Sequence, residues 1–312
     1  MRPAAETHPA AGRTIRFRPD IEGLRAVAVV LVVLCDAGVP GLRGGFLGVH
    51  VFSVISGFLI TAVLLRELDR TGRLSLPRFL SRRARRLLPA AVVVLVTVTV
   101  VGYRRPGLLP PVPLLPFRPL AVQVAFYLVW PILLIVLVWL GFRWALPYWV
   151  AAVVASSVAY ASWFAASGVW LTHLWQIGLG CLLGLAAGRL ARLPYRLATV
   201  MSVVGLALLV ISALNTDPAT PLSPYAVVLP VLATLLVLAG RADALLGVRP
   251  LQWLGRLSYP LALWHWPVLM IVTAVHDGPP ARALAVLGSA GLAALTYLCV
   301  ENPIRRLNLS CG

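Results

Sequence analysis

The chain has 312 residues, of which 60% are hydrophobic and 12% charged, and its mean hydropathy is +0.90. That is more apolar surface than one soluble core can bury, which excludes an ordinary soluble domain and calls for lipid as the solvent. The net charge of +17 comes from 27 basic residues, all arginine, against 10 acids; they are dispersed between apolar runs rather than gathered on one solvated face, which excludes nucleic-acid binding as well.

The first twenty residues carry Arg2, Arg13, Arg16 and Arg18 with no apolar core of signal-peptide length, and read as a cytoplasmic tail (1–20) ahead of a membrane domain (21–306) and a second short tail (307–312). Apolar stretches of spanning length, separated by Pro, Gly and Arg clusters, predict about ten transmembrane helices: 24–40, 46–65, 87–103, 120–141, 145–165, 171–188, 198–214, 225–240, 251–275 and 282–302. The fold class expected is therefore an all-α, polytopic membrane bundle without a soluble domain.

An even number of spans puts both ends on one side, and the arginines test this independently. Arg66, Arg70, Arg73, Arg78, Arg82, Arg83, Arg85, Arg86, Arg143, Arg189, Arg192, Arg196, Arg241, Arg249, Arg305 and Arg306 fall in loops on the side of the termini, against Arg43, Arg104, Arg105, Arg118 and Arg282 opposite. The excess makes the first side cytoplasmic and the host bilayer the cell membrane. The proline-rich stretch Gly102 to Pro119 reads as an outer loop. Cys35, Cys181, Cys299 and Cys311 have no CxxC spacing, so neither a disulfide framework nor a metal site is expected.

A polar residue inside a membrane helix is costly, so each raises a functional question. Arg25 and Asp36 lie eleven residues apart, about three turns, and share one helix face. Arg25 either lines a channel at the inner mouth or snorkels to the interface; Asp36 is either deep in the bundle or watered at the outer mouth near Gly38. His50 follows across a short glycine-rich hairpin, and a partnership with Asp36 would make it more than a hydrogen-bonded structural residue.

Seven segments in order resemble the acyltransferase family 3 of bacterial membrane proteins: RPDIEGLRA from Arg18, GGFLGV, SGFLIT, RFLSRRARRLLPA from Arg78, FYLVWP from Phe126, WLGRLSYPLALWHWP from Trp253 and VENPIRR from Val300. The resemblance implies a multi-helix enzyme that moves an acyl group, often acetyl, from a cytoplasmic acyl-CoA donor (no tightly bound cofactor) to a hydroxyl of a sugar, glycan or lipid-linked acceptor. It implies that Arg25 is associated with the donor and that position 36 is catalytic, normally as a histidine acting as general base. Arg82 and Arg86 then have a second role beyond the positive-inside signal, holding the donor phosphates. Ser258, Tyr259, His265 and Trp266 would line the bundle near the reaction centre, with Ser258 and His265 seven residues apart on one face. His265 also has a purely structural reading, as an interhelical hydrogen bond, and Trp266 one as an interface aromatic.

This chain departs from the family's pattern at polar positions: Asp36 stands where a histidine is usual, His50 where an acid is, Gln123 and Val124 where two glutamates are, and His173 and Gln176 where an arginine and a glutamate are. A segment before FYLVWP is also missing. Two explanations compete. Drift after loss of function would neutralise buried charges, giving a non-enzymatic membrane protein with a structural or export role; alternatively the acid and histidine have changed places and still work, with His50 as base and Asp36 orienting it. Tyr297, Glu301 and Arg305, at i+4 spacings, are expected to close the last helix with a salt bridge. An ion-coupled transporter is disfavoured because the acids are nearly all in loops.

Overall fold

The computed structural model describes residues 18–104, 118–163, 174–216 and 224–306, which are helical apart from short turns and contain no strand. The helices are α1 (Pro19–Asp36), α2 (Gly48–Thr71), α3 (Leu76–Arg104), α4 (Arg118–Trp139), α5 (Leu146–Trp163), α6 (Leu174–Leu185), the short α7 (Ala187–Leu190), α8 (Tyr195–Asn215), α9 (Pro224–Ala239), the short α10 (Asp243–Leu246), α11 (Arg249–Val275), α12 (Pro279–Thr296) and α13 (Asn302–Arg306). A π-turn over Tyr297–Glu301 joins the last two.

Each of the ten expected stretches holds a helix of twelve residues or more. Five segments are long and apolar enough to cross a membrane: Arg43–Thr71, Leu76–Arg104, Tyr195–Asn215, Arg249–Val275 and Pro279–Ile304. Of the others, α1 is set apart by its charges, Asp20, Glu22, Arg25 and Asp36, and four apolar helices are shorter, Gln123–Trp139, Leu146–Tyr160, Leu174–Leu185 and Ala226–Ala239. The chain is a membrane protein. On α3, Leu88, Val92, Leu95, Val96 and Val100 are exposed along one face, the stripe an apolar helix turns toward lipid.

The arginine run 78–86 was expected in a loop, yet it is wound into the first turns of α3, which begins at Leu76. The reason is local: α2 stops at Gly72, whose left-handed backbone (φ 66°) lets its N–H close on Leu68 O, and Glu67 then accepts from Arg82 at 2.9 Å and from the Ser75 N–H at 3.3 Å. Residues 105–117 of the expected outer loop and residues 164–173 lie outside the described residues, as does the side chain of Arg305 in the expected Glu301 bridge.

Close backbone contacts set the register of the bundle. A Cβ on Gly57 would overlap Ile177 O and one on Gly180 would overlap Val54 O, so α2 and α6 meet backbone to backbone. Gly45 backs onto Leu31 O and Gly48 onto Ala28 O, so α2 descends antiparallel along α1. Gly255 backs onto Glu22 O, and α11 rises beside α1 in the same direction, reaching it again at Asp36.

The RPD of the first motif is a brace. Arg18 donates to both Asp20 oxygens, at 3.2 and 2.6 Å, to Leu238 O at 2.8 Å and to Gly240 O at 3.0 Å, and lies 5.9 Å from the Phe58 ring centre. It joins the start of α1 to the end of α9, where carbonyls lack helical partners.

Candidate active site

The polar residues inside the bundle fall on two levels. At the lower, nearer the arginine-rich end, Arg25 lies in the field of Arg86, Arg83, Tyr127 and Glu22. Arg83 sits 5.5 Å from the Tyr127 ring and 5.6 Å from Phe79, a stacking that suits a planar guanidinium. Among the described residues neither Arg25 nor Arg83 forms an ion pair. Tyr259 donates its hydroxyl to Leu87 O at 3.0 Å and stands in the field of Tyr127 and Glu301. On the α2 side, Gln123 Nε2 donates to Ser56 Oγ, which is 3.4 Å from the Tyr127 hydroxyl, and Trp130 Nε1 donates to Thr61 at 2.9 Å.

His50 belongs to the lower level too. Gly48 abuts Ala28; Arg25 lies three residues below Ala28 and His50 two below Gly48, so the two differ by only about 1–2 Å in helix rise. The His50 Nδ1 is 2.9 Å from Gln176 Oε1, and since the amide oxygen only accepts, the ring nitrogen donates.

The upper level is Asp36 and His265, whose Oδ2 and Nε2 are 3.1 Å apart, with side chains 34% and 10% exposed. His265 Nδ1 donates to Leu261 O at 3.2 Å. Both ring nitrogens thus face oxygens, which fixes the imidazole in orientation. Val33, Leu269, Ala285, Val286 and Ser289 surround His265 at a shallow crevice. Nearby, Arg282 donates to Asp277 at 3.1 Å, which with the Gly278 N–H holds that exposed carboxyl below the usual carboxylate range.

Of the residues singled out from the sequence, Arg25, Arg86 and Tyr259 gather at the lower level and Asp36 and His265 at the upper. The expected Asp36–His50 partnership is not formed: Ala28 is eight residues, roughly 12 Å of rise, below Asp36, and α2 carries His50 further away. Asp36 pairs instead with His265 and His50 with Gln176. Arg82 turns outward to Glu67 with half its side chain exposed, away from Arg25. Trp266 is half-buried with no hydrogen bond among the described residues, whereas Trp264 donates to Thr296 at 2.9 Å. His173 lies outside the described residues. Sequence reasoning missed Arg83 and Tyr127 as members of the lower group; the signal was present, since Arg83 and Arg86 share a face at i+3 once α3 includes them.

Comparison with known proteins gives one family: a model of the acyltransferase domain of family 3 matches residues 18–301. The chain is 28% identical to a peptidoglycan O-acetyltransferase of Listeria monocytogenes over 349 aligned residues, 93% of this chain and 56% of that protein. It is 30% identical to a putative peptidoglycan O-acetyltransferase of Bacillus subtilis over 352, 93% and 55% of the respective chains. A putative O-acetyltransferase of Staphylococcus aureus is 48% identical over 86 residues, 28% of this chain and 14% of that one. The chain spans about half the length of the first two relatives. The alignments run over more positions than the chain has residues, so the relatives carry segments that it lacks. No solved structure matches.

Proposed function

The chain belongs to the acyltransferase family just described, and from that premise we propose that it transfers an acyl group, acetyl foremost, from an acyl-CoA on the cytoplasmic side of the cell membrane to a hydroxyl of a carbohydrate or lipid-linked glycan. The observation that carries this is the placing of Arg25 and Arg83, with Arg86 on the same face of α3, inside an apolar bundle beside Tyr127, because cationic side chains in a poorly polarisable surrounding are stabilised by a polyanion, and a coenzyme brings phosphates. The arginine-rich end is then the cytoplasmic one, with both termini on that side.

The chemistry belongs at the upper level. Arg25 and Asp36 lie eleven residues apart on one face of α1, about 16 Å of rise, which suits a pantetheine arm running from its phosphates to its thioester. There the acceptor oxygen attacks the carbonyl carbon, the C–O bond forms, the C–S bond breaks, and the hydroxyl proton passes to the Asp36–His265 pair and on to the departing thiolate. Asp36, the more exposed partner, meets the acceptor; His265 is the imidazole behind it. The position where the family resemblance calls for histidine thus keeps an imidazole at hydrogen-bond distance, supplied by α11.

The neutral bonds His50–Gln176 and Gln123–Ser56 favour a second reading, a degenerate family member without activity. Labelled acetyl-CoA supplied to membranes carrying the chain separates the two. Transfer above membranes lacking it, with donor KM raised roughly tenfold or more in Arg25→Ala, as expected for losing a charged hydrogen bond, supports the enzyme. No transfer, or transfer indifferent to Arg25, overturns it.

A further inference from the structure

Hydroxyls inside membrane helices usually bond to the carbonyl one turn earlier. Ser202, Ser212, Thr234, Ser289 and Thr296 do so, at 2.7 to 3.1 Å. The other buried hydroxyls bond across the bundle, Ser56 to Gln123, Thr61 to Trp130 and Ser157 to the Trp175 N–H. Ser258 does neither. Its side chain is 0% exposed and its Oγ has no hydrogen-bond partner among the described residues. A buried donor left without a partner costs stability, and such a group calls for an explanation beyond packing.

Its place in the bundle supplies one. Gly255 abuts Glu22, and three residues on along each of the two parallel helices come Ser258 and Arg25. Seven residues further, about 10 Å up the same face of α11, His265 meets Asp36 of α1. Arg25 and Ser258 therefore stand at one height on the two helices, below the level at which Asp36 and His265 meet. A chain lying between α1 and α11 from Arg25 to the Asp36–His265 pair would cross the height of Ser258. We infer that Ser258 is a specificity-determining contact for the donor, its hydroxyl donating to an amide carbonyl of a pantetheine thioester. This rests on the acyl-CoA reading above, and no bond to Ser258 is made or broken in the reaction.

The test uses the full chain in nanodiscs with two donors, acetyl-CoA and S-acetylpantetheine, which keeps the amides and lacks the phosphates. Ser258→Ala is expected to raise KM roughly two- to tenfold for both donors, the cost of one neutral hydrogen bond, with kcat within about twofold. Its melting temperature without donor should be unchanged or higher, because removing an unsatisfied hydroxyl does not destabilise. Arg25→Ala should raise KM for acetyl-CoA and leave S-acetylpantetheine unaffected. A Ser258→Ala protein with wild-type KM for both donors overturns the inference. So does one that melts earlier or fails to accumulate folded, which would make the hydroxyl structural, and so does acyl label on Ser258 after a denaturing quench, which would make it a nucleophile. A wild-type chain that transfers from neither donor overturns the acyl-CoA reading itself and this inference with it.

Discussion

The Arg18 brace offers the sharpest energetic test of the fold. Asp20 is 1% exposed and Arg18 28%, and the guanidinium makes two bonds to the carboxylate and two to carbonyls at the end of α9. Replacing Arg18 with Ala leaves a buried carboxylate without its partner, a change that typically costs 3–5 kcal/mol; the partial exposure of Arg18 puts this case near about 3 kcal/mol. Replacing Asp20 with Asn in the same chain removes the stranded charge, leaving mainly the two carbonyl bonds, so the double variant should lose only about 1.5 kcal/mol. The assay is thermal unfolding in one detergent, where a 3 kcal/mol loss corresponds to roughly 6–12 °C by the scaling for domains of this order of size. The ordering carries the argument. If Arg18→Ala melts within a degree of wild type, or the double variant is less stable than the single, burial of Asp20 is not what makes Arg18 necessary.

The remaining expectations concern the register and the two levels. Gly57→Ala, whose Cβ would overlap Ile177 O, should cost about 2 kcal/mol, within the range for overpacking, whereas Gly188→Ala, with nothing within 4 Å, should be neutral or slightly stabilising; unfolding of the two variants side by side decides it. Arg82→Ala should leave donor KM within twofold, because Arg82 is committed to Glu67 at the surface, while Arg86→Ala should raise it about tenfold, as read from acetyl-CoA saturation curves. Asp36→His and His50→Asp should act independently, their combined effect on kcat/KM matching the sum of the single effects within about 0.5 kcal/mol, since they lie on different levels; a coupling above 1 kcal/mol would restore the exchanged pair.

The ten helical stretches were legible because hydropathy is a local quantity: whether a residue prefers lipid does not depend on which helix lies beside it. The start of α3 was not, because an arginine run reads as loop when charge is taken as the signal for water, and the helix there is set by the Gly72 stop and the Glu67 contacts. Arg18, Asp20 and Glu22 show the same limit. Arg18 and Asp20 read as part of a tail, yet they brace α1 to α9, and Glu22 accepts from Arg256 at 3.3 Å. Nothing in a sequence states which backbone carbonyl a guanidinium will reach across 220 residues.

The exchange of Asp36 and His50 was the most misleading feature, because adjacency across a short hairpin suggests contact. The Gly48–Ala28 approach fixes the two helices so that the hairpin rises well above His50, and the imidazole that reaches Asp36 comes from a residue 229 positions away. This bears on whether the polar substitutions record decay. An unneeded charge in a membrane helix costs about 2.5–3.5 kcal/mol on insertion scales, so drift should remove charges wherever they stand. Here the neutral side chains Gln123 and Gln176 bond to Ser56 and His50 on α2, while the ionisable Arg25 and Asp36 share one face of α1, with Asp36 opposite His265. On the acyl-transfer reading proposed above, these are the polar groups a route from the arginine cluster to the carboxylate–imidazole pair requires, and reduced transfer in Arg25→Ala and Asp36→Ala alike is the result that reading expects.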